Sequence, residues 1–216
     1  MQDVKGTVLI AGATGYLGGY LTEAYKRAGY KVRALVRRKS QMGADDLWVD
    51  EAVVGEATEA KSISGICDDV DIVVSALGIT RQRDGLSYEM VDYGANANIL
   101  NEAICAGAQH FAYVHVLHAD KMPKVALSAA KQRFADQLRD AKIRSTIICP
   151  SGYFSDLHAF LEMAHNGRIY LFGNGHKRIS PIHGRDLAKA IVAATEQGIS
   201  HLEIGGPETF TQTRIA

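Results

Sequence analysis

The sequence has 216 residues, of which 47% are hydrophobic, and this length predicts one domain with a core large enough to fold without disulfides or a structural metal. Its 24 Lys and Arg residues equal its 24 Asp and Glu residues, so no net charge attracts nucleic acid or an anionic membrane. No apolar run approaches the roughly 18–20 residues that a transmembrane helix needs, so no membrane span is predicted.

The cysteines and the first residues indicate the cellular compartment. Cys67, Cys105 and Cys149 lie in apolar runs with no paired spacing, which predicts buried, reduced thiols. Residues 1–6 lead directly into a strand pattern and predict no signal peptide. We therefore expect a cytoplasmic protein, and the sequence leaves its oligomeric state open.

Short β-branched apolar runs alternate with amphipathic helical patterns over residues 1–150. Strands are predicted at residues 7–11, 32–36, 52–54, 71–76, 111–116 and 145–149. Helices are predicted between them at residues 16–28, 88–106 and 127–141. The alternation predicts an α/β fold, a doubly wound parallel sheet with right-handed crossovers and the strand order 3-2-1-4-5-6.

The pattern changes after residue 150. Residues 151–216 are interpreted as a small substrate-side lobe, interleaved with the core and placed over the carboxyl edge of the sheet. Its predicted elements are helices at 153–165 and 186–195, a strand and turn at 168–175 and a strand at 201–204. Residues 211–216 resemble the first turn of a helix, which predicts that the lobe is incomplete at its C-terminus.

A glycine-rich loop lies between the first strand and the first helix. Gly12 permits a tight turn, Gly15 lets the backbone approach a pyrophosphate, and Gly18 lets the helix pack closely on the sheet. The helix N-terminus offers free N–H groups to the phosphates. The loop therefore predicts a bound dinucleotide.

The residues after the second strand determine which dinucleotide is preferred. NAD enzymes usually have Asp or Glu there, for the ribose 2′-hydroxyl. This sequence has Arg37, Arg38, Lys39 and Ser40 instead, which could bind a 2′-phosphate by charge-assisted hydrogen bonds. The alternative is a solvated basic turn, but the adjacent glycine loop favours NADP(H) over NAD(H).

Several further motifs accompany the glycine loop. They are SALG at 75–78, VDYGAN at 91–96, CPSGYFSD at 149–156, YLFGNG at 170–175, SPIH at 180–183 and GGPE at 205–208. Together they resemble the short-chain dehydrogenase/reductase superfamily in its atypical NmrA-like branch. The stretches at 149–156, 170–175 and 205–208 are similar to the subgroup that includes divinyl chlorophyllide 8-vinyl reductases. The resemblance covers nearly the whole chain and implies a Rossmann-type fold that binds NAD(P)H.

The resemblance also implies which residues hold the cofactor. The pyrophosphate would contact Gly12, Thr14, Gly15, Tyr16, Leu17 and Gly18. Arg37, with Arg38 beside it, would meet the adenosine phosphate, and Glu56 would lie near the adenine, where the family usually has Asp. The ribose next to the nicotinamide would contact Ala76, Leu77 and Gly78. The nicotinamide pocket would be lined by Pro150, Gly152, Tyr153 and Phe154.

The catalytic centre departs from the superfamily pattern. Lys131 matches the Lys of the usual Tyr-x-x-x-Lys, but Leu127 replaces the Tyr and His115 replaces the Ser. Lys131 can still hold the ribose hydroxyls, whereas a proton would have to come from His115, Tyr153 or water. His115, with His118 and Asp120 nearby, lacks a convincing third ligand, so no metal site is predicted.

Two functions remain open from the sequence. One is an NAD(P)H-dependent reductase of an alkene, flavin-like or quinone-like small molecule. The other is a non-catalytic NADP(H)-binding regulator of the NmrA-like type. The missing Tyr at position 127 favours the regulator, and the reductase-like motifs after residue 150 favour the enzyme. Residues 81–85 could form a loop over the active site that grips an acidic substrate.

Overall fold

The computed structural model describes residues 4–38, 47–79, 85–171 and 173–216. The predicted roles of Lys39 and Ser40 in the basic turn concern residues outside these ranges, as do residues 81–84 of the loop predicted at 81–85.

The described residues form a parallel sheet with a small antiparallel pair beside it. The strands are β1 (Thr7–Ala11), β2 (Lys31–Val36), β3 (Glu51–Val54), β4 (Ile72–Ser75), β5 (His110–Val114), β6 (Arg144–Pro150), β7 (Arg178–Ile179), β8 (His201–Ile204) and β9 (Phe210–Thr211). The main sheet has seven parallel strands in the order β3-β2-β1-β4-β5-β6-β8. The predicted order is thus confirmed, and β8 adds a seventh strand beside β6.

Helices cover both faces of this sheet. They are α1 (Tyr16–Arg27), α2 (Asn96–Cys105), α3 (Ala126–Asp140), α4 (His158–His165), α5 (Gly184–Gln197) and α6 (Gln212–Ile215). A π-helical segment, Glu89–Ala95, runs directly into α2, so the helix predicted over residues 88–106 has two parts.

Alternate residues of β5 contribute to two separate hydrophobic cores. Phe111 and Tyr113 belong to the core covered by α2 and α3. Ala112 and Val114 belong to the core under α1 and α5. Because successive side chains of a strand point to opposite faces, a strand covered on both faces is apolar throughout. This explains the uninterrupted apolar runs in the sequence and confirms the doubly wound α/β fold.

The strand predicted within residues 168–175 was wrong. Residues 168–171 have no regular structure, and the strand of this region is β7, which pairs with β9. Tyr170 is 66% exposed, so its ring is not packed as it would be in a buried strand. The turn that follows does form, because Gly173 and Gly175 adopt positive φ angles of 67° and 75°.

The prediction that all three cysteines are buried was wrong for Cys105. Cys67 and Cys149 are buried, whereas Cys105 is exposed. The buried face of α2 contains Asn96, Ile99, Leu100 and Ala103, and the helical period places position 105 away from that face.

Two of the elements after residue 150 join the core and the main sheet. α5 packs beside α1 in one core, and β8 joins the edge of the main sheet. The helical turn predicted near the end of the sequence is present as α6. A domain boundary at residue 150 stays a prediction. In the described part of the chain, no helix has both the length and the apolar character needed to cross a bilayer.

Candidate functional site

The glycine loop joins β1 to α1 at the carboxyl edge of the sheet. Gly12 has a φ of 85°, and its carbonyl oxygen accepts the N–H of Gly15 at 3.0 Å. A Cβ at Gly18 would collide with the Gly12 carbonyl oxygen, so the start of α1 can approach the loop only with glycine there. Gly15 is the N-cap residue and has no side chain to cap the helix. The first N–H groups of α1 are therefore available to an anion.

A cavity of about 590 Å³ opens in front of this loop and runs along the ends of β2, β3 and β4. Ligands of doubly wound sheets bind at this edge. The predicted residues that line it are Gly12, Thr14, Gly15, Arg37, Glu56, Ala76, Leu77 and Gly78. The lining residues that were not predicted as site residues are Leu35, Val36, Gly55, Ala57, Thr58, Ile79, Leu86, Val91 and Ala95.

The end of the cavity at β2 and β3 carries both charges expected for adenosine recognition. Arg37 is exposed at the end of β2, and Arg38 follows it. The Glu56 carboxylate accepts hydrogen bonds from the backbone N–H of Thr58 at 3.3 Å and from its hydroxyl at 3.0 Å. The Glu56 side chain is therefore held in one orientation at the cavity wall.

Lys131 lies at the other end of the cavity, behind Gly78. It is 8% exposed, and its Nζ donates to the Val114 carbonyl oxygen at 3.2 Å. A Cβ on Gly78 would lie only 3.2 Å from this Nζ, so the absence of a side chain at position 78 brings the ammonium close to the cavity. Burial lowers the pKa of Lys131, and the nearby Asp92 carboxylate opposes that shift.

Asp92 was not among the predicted site residues. Its Oδ1 lies 3.3 Å from Lys131 Nζ, its Oδ2 accepts the N–H of Ile79 at 3.3 Å, and the residue is 0% exposed. Burial raises the pKa of the Asp92 carboxyl, and the Lys131 ammonium opposes this shift. The signal in the sequence was a pair of polar residues, Asp92 and Asn96, one helical turn apart on a buried face.

His115 follows the end of β5 and is 4% exposed. Gln132 donates its amide to Asp136 at 2.8 Å, which leaves the Gln132 oxygen to accept the Nε2–H of His115 at 3.1 Å. The Nδ1 of His115 is buried without a partner among the described residues. Burial lowers the pKa of His115 to about 4, so the ring is neutral at physiological pH.

The residues after β6 pack against the glycine-loop end of α1. The rings of Tyr153 and Tyr16 meet edge to face with centroids 5.5 Å apart. Burial raises the pKa of Tyr153, which makes its phenol a weaker acid than usual. Phe154 is 43% exposed, whereas Pro150 is buried as the last residue of β6.

The remaining predicted residues of the glycine motif do not line the cavity. Tyr16, Leu17 and Gly18 form the first turn of α1. His183 accepts the N–H of Arg185 at 3.2 Å and so caps α5. No three His, Cys, Asp or Glu side chains of the described residues gather as metal ligands.

A doubly wound parallel sheet, with a glycine loop after its first strand and a cavity along its carboxyl edge, defines a dinucleotide-binding α/β protein. The model of the NAD(P)H-binding family matches residues 12–198. The chain belongs to this NAD(P)H-binding family.

Comparisons with known proteins agree with this assignment. The chloroplastic divinyl chlorophyllide a 8-vinyl-reductase of Oryza sativa subsp. indica is 31% identical over 221 residues, which are 93% of this chain and 54% of that protein. The ceramide reductase of Caulobacter vibrioides is 25% identical over 198 residues, which are 88% of this chain and 61% of that protein. The chain thus spans about half the length of the curated relatives that it matches. The resemblance derived from the motifs is confirmed.

A solved structure shares the fold. The NADPH-dependent quinone oxidoreductase of Escherichia coli, determined in complex with NADPH, superposes with a TM-score of 0.78 at 22% identity. The match covers 97% of this chain and 72% of that chain. At this identity the likeness establishes the Rossmann-type fold.

Proposed function

We propose that the protein is an NADPH-dependent reductase of an alkene, flavin-like or quinone-like small molecule. The observation that carries this proposal is the position of Lys131, buried behind Gly78 at the end of a cavity that begins at the glycine loop. In the family arrangement this end receives the nicotinamide ribose, so the Lys131 ammonium can donate to the ribose hydroxyls. The names of the relatives, which include a vinyl reductase and a ceramide reductase, support reduction as the reaction.

The described residues fit a phosphorylated dinucleotide. The N–H groups at the start of α1 would bind the pyrophosphate, and Glu56 lies where the adenine is expected. Arg37 and Arg38 would bind a 2′-phosphate by charge-assisted hydrogen bonds, which is the basis for proposing NADP(H) over NAD(H). When bound, the nicotinamide supplies a hydride to the substrate.

The source of the proton distinguishes this site from the usual short-chain reductase. Leu127 is half-buried at the position of the usual Tyr and has no proton to give. His115 would first have to take up a proton on Nδ1, because its Nε2–H is bound by Gln132. Tyr153 keeps its proton more tightly than an exposed phenol. We retain His115, Tyr153 and water as the candidate donors.

The proposed partner is a small molecule rather than nucleic acid, in keeping with the balanced charge of the chain. The cytoplasmic location predicted from the unpaired cysteines stays a prediction.

The test is turnover of NADPH with a panel of acceptors. The purified protein would be mixed with NADPH and, in turn, with flavins, quinones, biliverdin and divinyl chlorophyllides, and the loss of NADPH absorbance measured. Gly18→Ala is the control, because its Cβ would collide with the Gly12 carbonyl oxygen. Turnover of NADPH by the wild type, and not by Gly18→Ala, would support the reductase.

The alternative function is a non-catalytic regulator that binds NADP(H), and Leu127 in place of the Tyr is the observation that favours it. Tight NADPH binding without turnover of any acceptor in the panel would support this alternative.

A further inference from the structure

A chain of buried polar side chains runs from β4 to α3 behind the cavity. The hydroxyl of Ser75 donates to the amide oxygen of Asn96 at 2.5 Å. The amide nitrogen of Asn96 donates to the carbonyl oxygens of Val91 at 3.3 Å and Asp92 at 3.0 Å. Ser75, Asp92 and Asn96 are all 0% exposed. Buried polar groups of this kind are costly unless they are paired, so the network fixes the local backbone.

The two carbonyl groups bound by Asn96 lie in the π-helical segment Glu89–Ala95. Such widened turns are rare and are found frequently at functional sites. The segment has an exposed side, with Glu89 and Met90, and a buried side, with Asp92. Asn96 therefore bonds to the part of the backbone from which the Asp92 side chain extends inward.

Asp92 meets Lys131 across this interior. Their Oδ1 and Nζ atoms are 3.3 Å apart, and a Cβ on Gly78 would lie 2.6 Å from the same Oδ1. That Oδ1 has no hydrogen-bond partner of good geometry among the described residues. The Asp92 carboxylate and the Lys131 ammonium thus both lie where a side chain at position 78 would extend.

We propose that Asp92 is a positioning residue for Lys131. Its carboxylate holds the ammonium behind Gly78 and keeps it charged, and the π-helical turn fixed by Asn96 is what brings Asp92 there. This inference rests on the proposed function, in which Lys131 donates to the nicotinamide ribose.

The other titratable groups around this pair are neutral or are paired elsewhere, so Asp92 supplies the negative charge that balances Lys131. From β5, the Tyr113 hydroxyl lies 3.5 Å from Lys131 Nζ, and burial holds the pKa of this phenol well above its usual value. His115, also after β5, is neutral, and burial raises the pKa of Cys149 on β6 to about 11. Glu89 is 56% exposed and paired with Arg133. An uncompensated buried ammonium is unstable, so loss of the Asp92 charge would favour the neutral amine.

The experiment measures the affinity of the full chain for NADPH as a function of pH. It compares the Asp92→Asn variant with the wild type. Asn keeps the size of the side chain and an oxygen for the Ile79 N–H. At about pH 8, Asp92→Asn should bind NADPH at least about tenfold more weakly, because Lys131 loses its proton. The difference in NADPH affinity between the variant and the wild type should narrow as the pH is lowered, because acid favours the charged form of Lys131. A purely structural role for Asp92 would give no such pH dependence.

Two controls separate the possible failures. Glu89 lies in the same helical segment as Asp92 but pairs with Arg133 rather than with Lys131. The Glu89→Gln variant should therefore bind NADPH as the wild type does at every pH. If the NADPH affinity of Asp92→Asn showed the same pH dependence as that of Glu89→Gln, the inference would be overturned. Lys131→Ala should weaken NADPH binding at every pH, by about 10- to 150-fold for hydrogen bonds from a charged group. Normal binding by Lys131→Ala would instead overturn the placement of the cofactor in the proposed function.

A measurement on the wild type keeps the test independent of variant folding. The side-chain carbon resonances of Asp92 and Lys131 would be followed by NMR against pH. A pair coupled at 3.3 Å should titrate with shared inflections. Independent titration of the two side chains would overturn the inference.

Discussion

The hydroxyl of Tyr16 accepts a hydrogen bond from the backbone N–H of Gly184 at 3.1 Å. Tyr16 directly follows the glycine loop and Gly184 is the first residue of α5, so this bond joins the cofactor loop to the region after residue 150. The N–H of a first helical residue has no partner within its own helix. A Cβ at Gly184 would collide with the ring of Tyr20, so this close approach requires glycine.

Replacing Tyr16 by Phe removes only the acceptor and keeps the ring against Tyr153. The Gly184 N–H is then left unpaired, and we expect the free energy of unfolding to fall by about 1–2 kcal/mol. Urea denaturation would measure this loss. Tyr20→Phe is the matched control, because the described residues offer its hydroxyl no hydrogen bond, and it should change stability much less. Equal losses in the two variants would contradict the role given to the Tyr16 hydroxyl.

Arg37 should set the preference for the phosphorylated cofactor. Since Arg37 lines the cavity at the end of β2, the wild type should bind NADPH more than tenfold more tightly than NADH, or about 1.4 kcal/mol. Arg37→Asp should remove this preference by repelling the 2′-phosphate. Calorimetric titration with NADPH and with NADH measures this preference. Lys142→Asp makes the same change of charge at an exposed turn away from the cavity and should preserve the preference. Equal affinities in the wild type would refute the proposal.

His115 can be tested as the proton donor by comparing rate with affinity. His115→Ala should cut turnover by about 10²–10⁴, the usual contribution of a general acid, while leaving NADPH affinity nearly unchanged. Because burial lowers the pKa of His115 to about 4, the wild-type rate should fall as the pH rises from about 4, well below the usual range for histidine. His110→Ala removes an equally buried histidine at the opposite end of β5 and controls for loss of stability. Unchanged turnover in His115→Ala would leave Tyr153 or water as the donor.

Two buried histidines should make the fold sensitive to acid. Burial lowers the pKa values of His110 and His115 to about 4, whereas an unfolded chain has a histidine pKa near 6.5. Between these values the unfolded state binds more protons, so stability falls as the pH drops from about 6.5 to about 4, by roughly 3 kcal/mol for each residue. Thermal unfolding over this range would measure the loss.

A variant can assign part of that loss. The Thr146 hydroxyl donates to the Ile199 carbonyl oxygen at 2.6 Å and faces His110 Nε2 at 2.8 Å, so this Nε2 carries the hydrogen and the buried Nδ1 has no partner among the described residues. His110→Gln should flatten the pH dependence, and His158→Gln, at an exposed site, should not. Identical pH profiles for the two variants would exclude His110 as a source of acid sensitivity.

The sheet could be predicted from the sequence because its signals are local. β1 and β5 are buried on both faces, so their apolar runs identify them without knowledge of the neighbouring strands. The glycine loop was equally clear, since Gly12 and Gly18 meet steric demands set within a few residues of the chain. The observed cavity is lined by five of the nine residues predicted to contact the adenosine and the pyrophosphate.

The features that could not be predicted depend on distant partners. β7 is a strand only because β9 lies beside it, and neither dipeptide has a strand pattern of its own. Asp92 and Lys131 meet only after α3 has packed beside the π-helical turn. The sequence identified Lys131 through its place in a family motif, but it gave no indication of which side chain would balance its charge.

The seventh strand has a practical consequence for protein engineering. β8 is paired along Ile147–Pro150 of β6, and the N–H of Ile147 also bonds to the Ser200 carbonyl oxygen at 2.9 Å. Cutting the gene after codon 150 to isolate a minimal nucleotide-binding module would leave this side of β6 as a bare sheet edge. Open edges of this kind recruit strands from other molecules. A shortened version would therefore be expected to enter inclusion bodies on expression, and versions of the protein made for crystallography or display should retain the chain through Ile204.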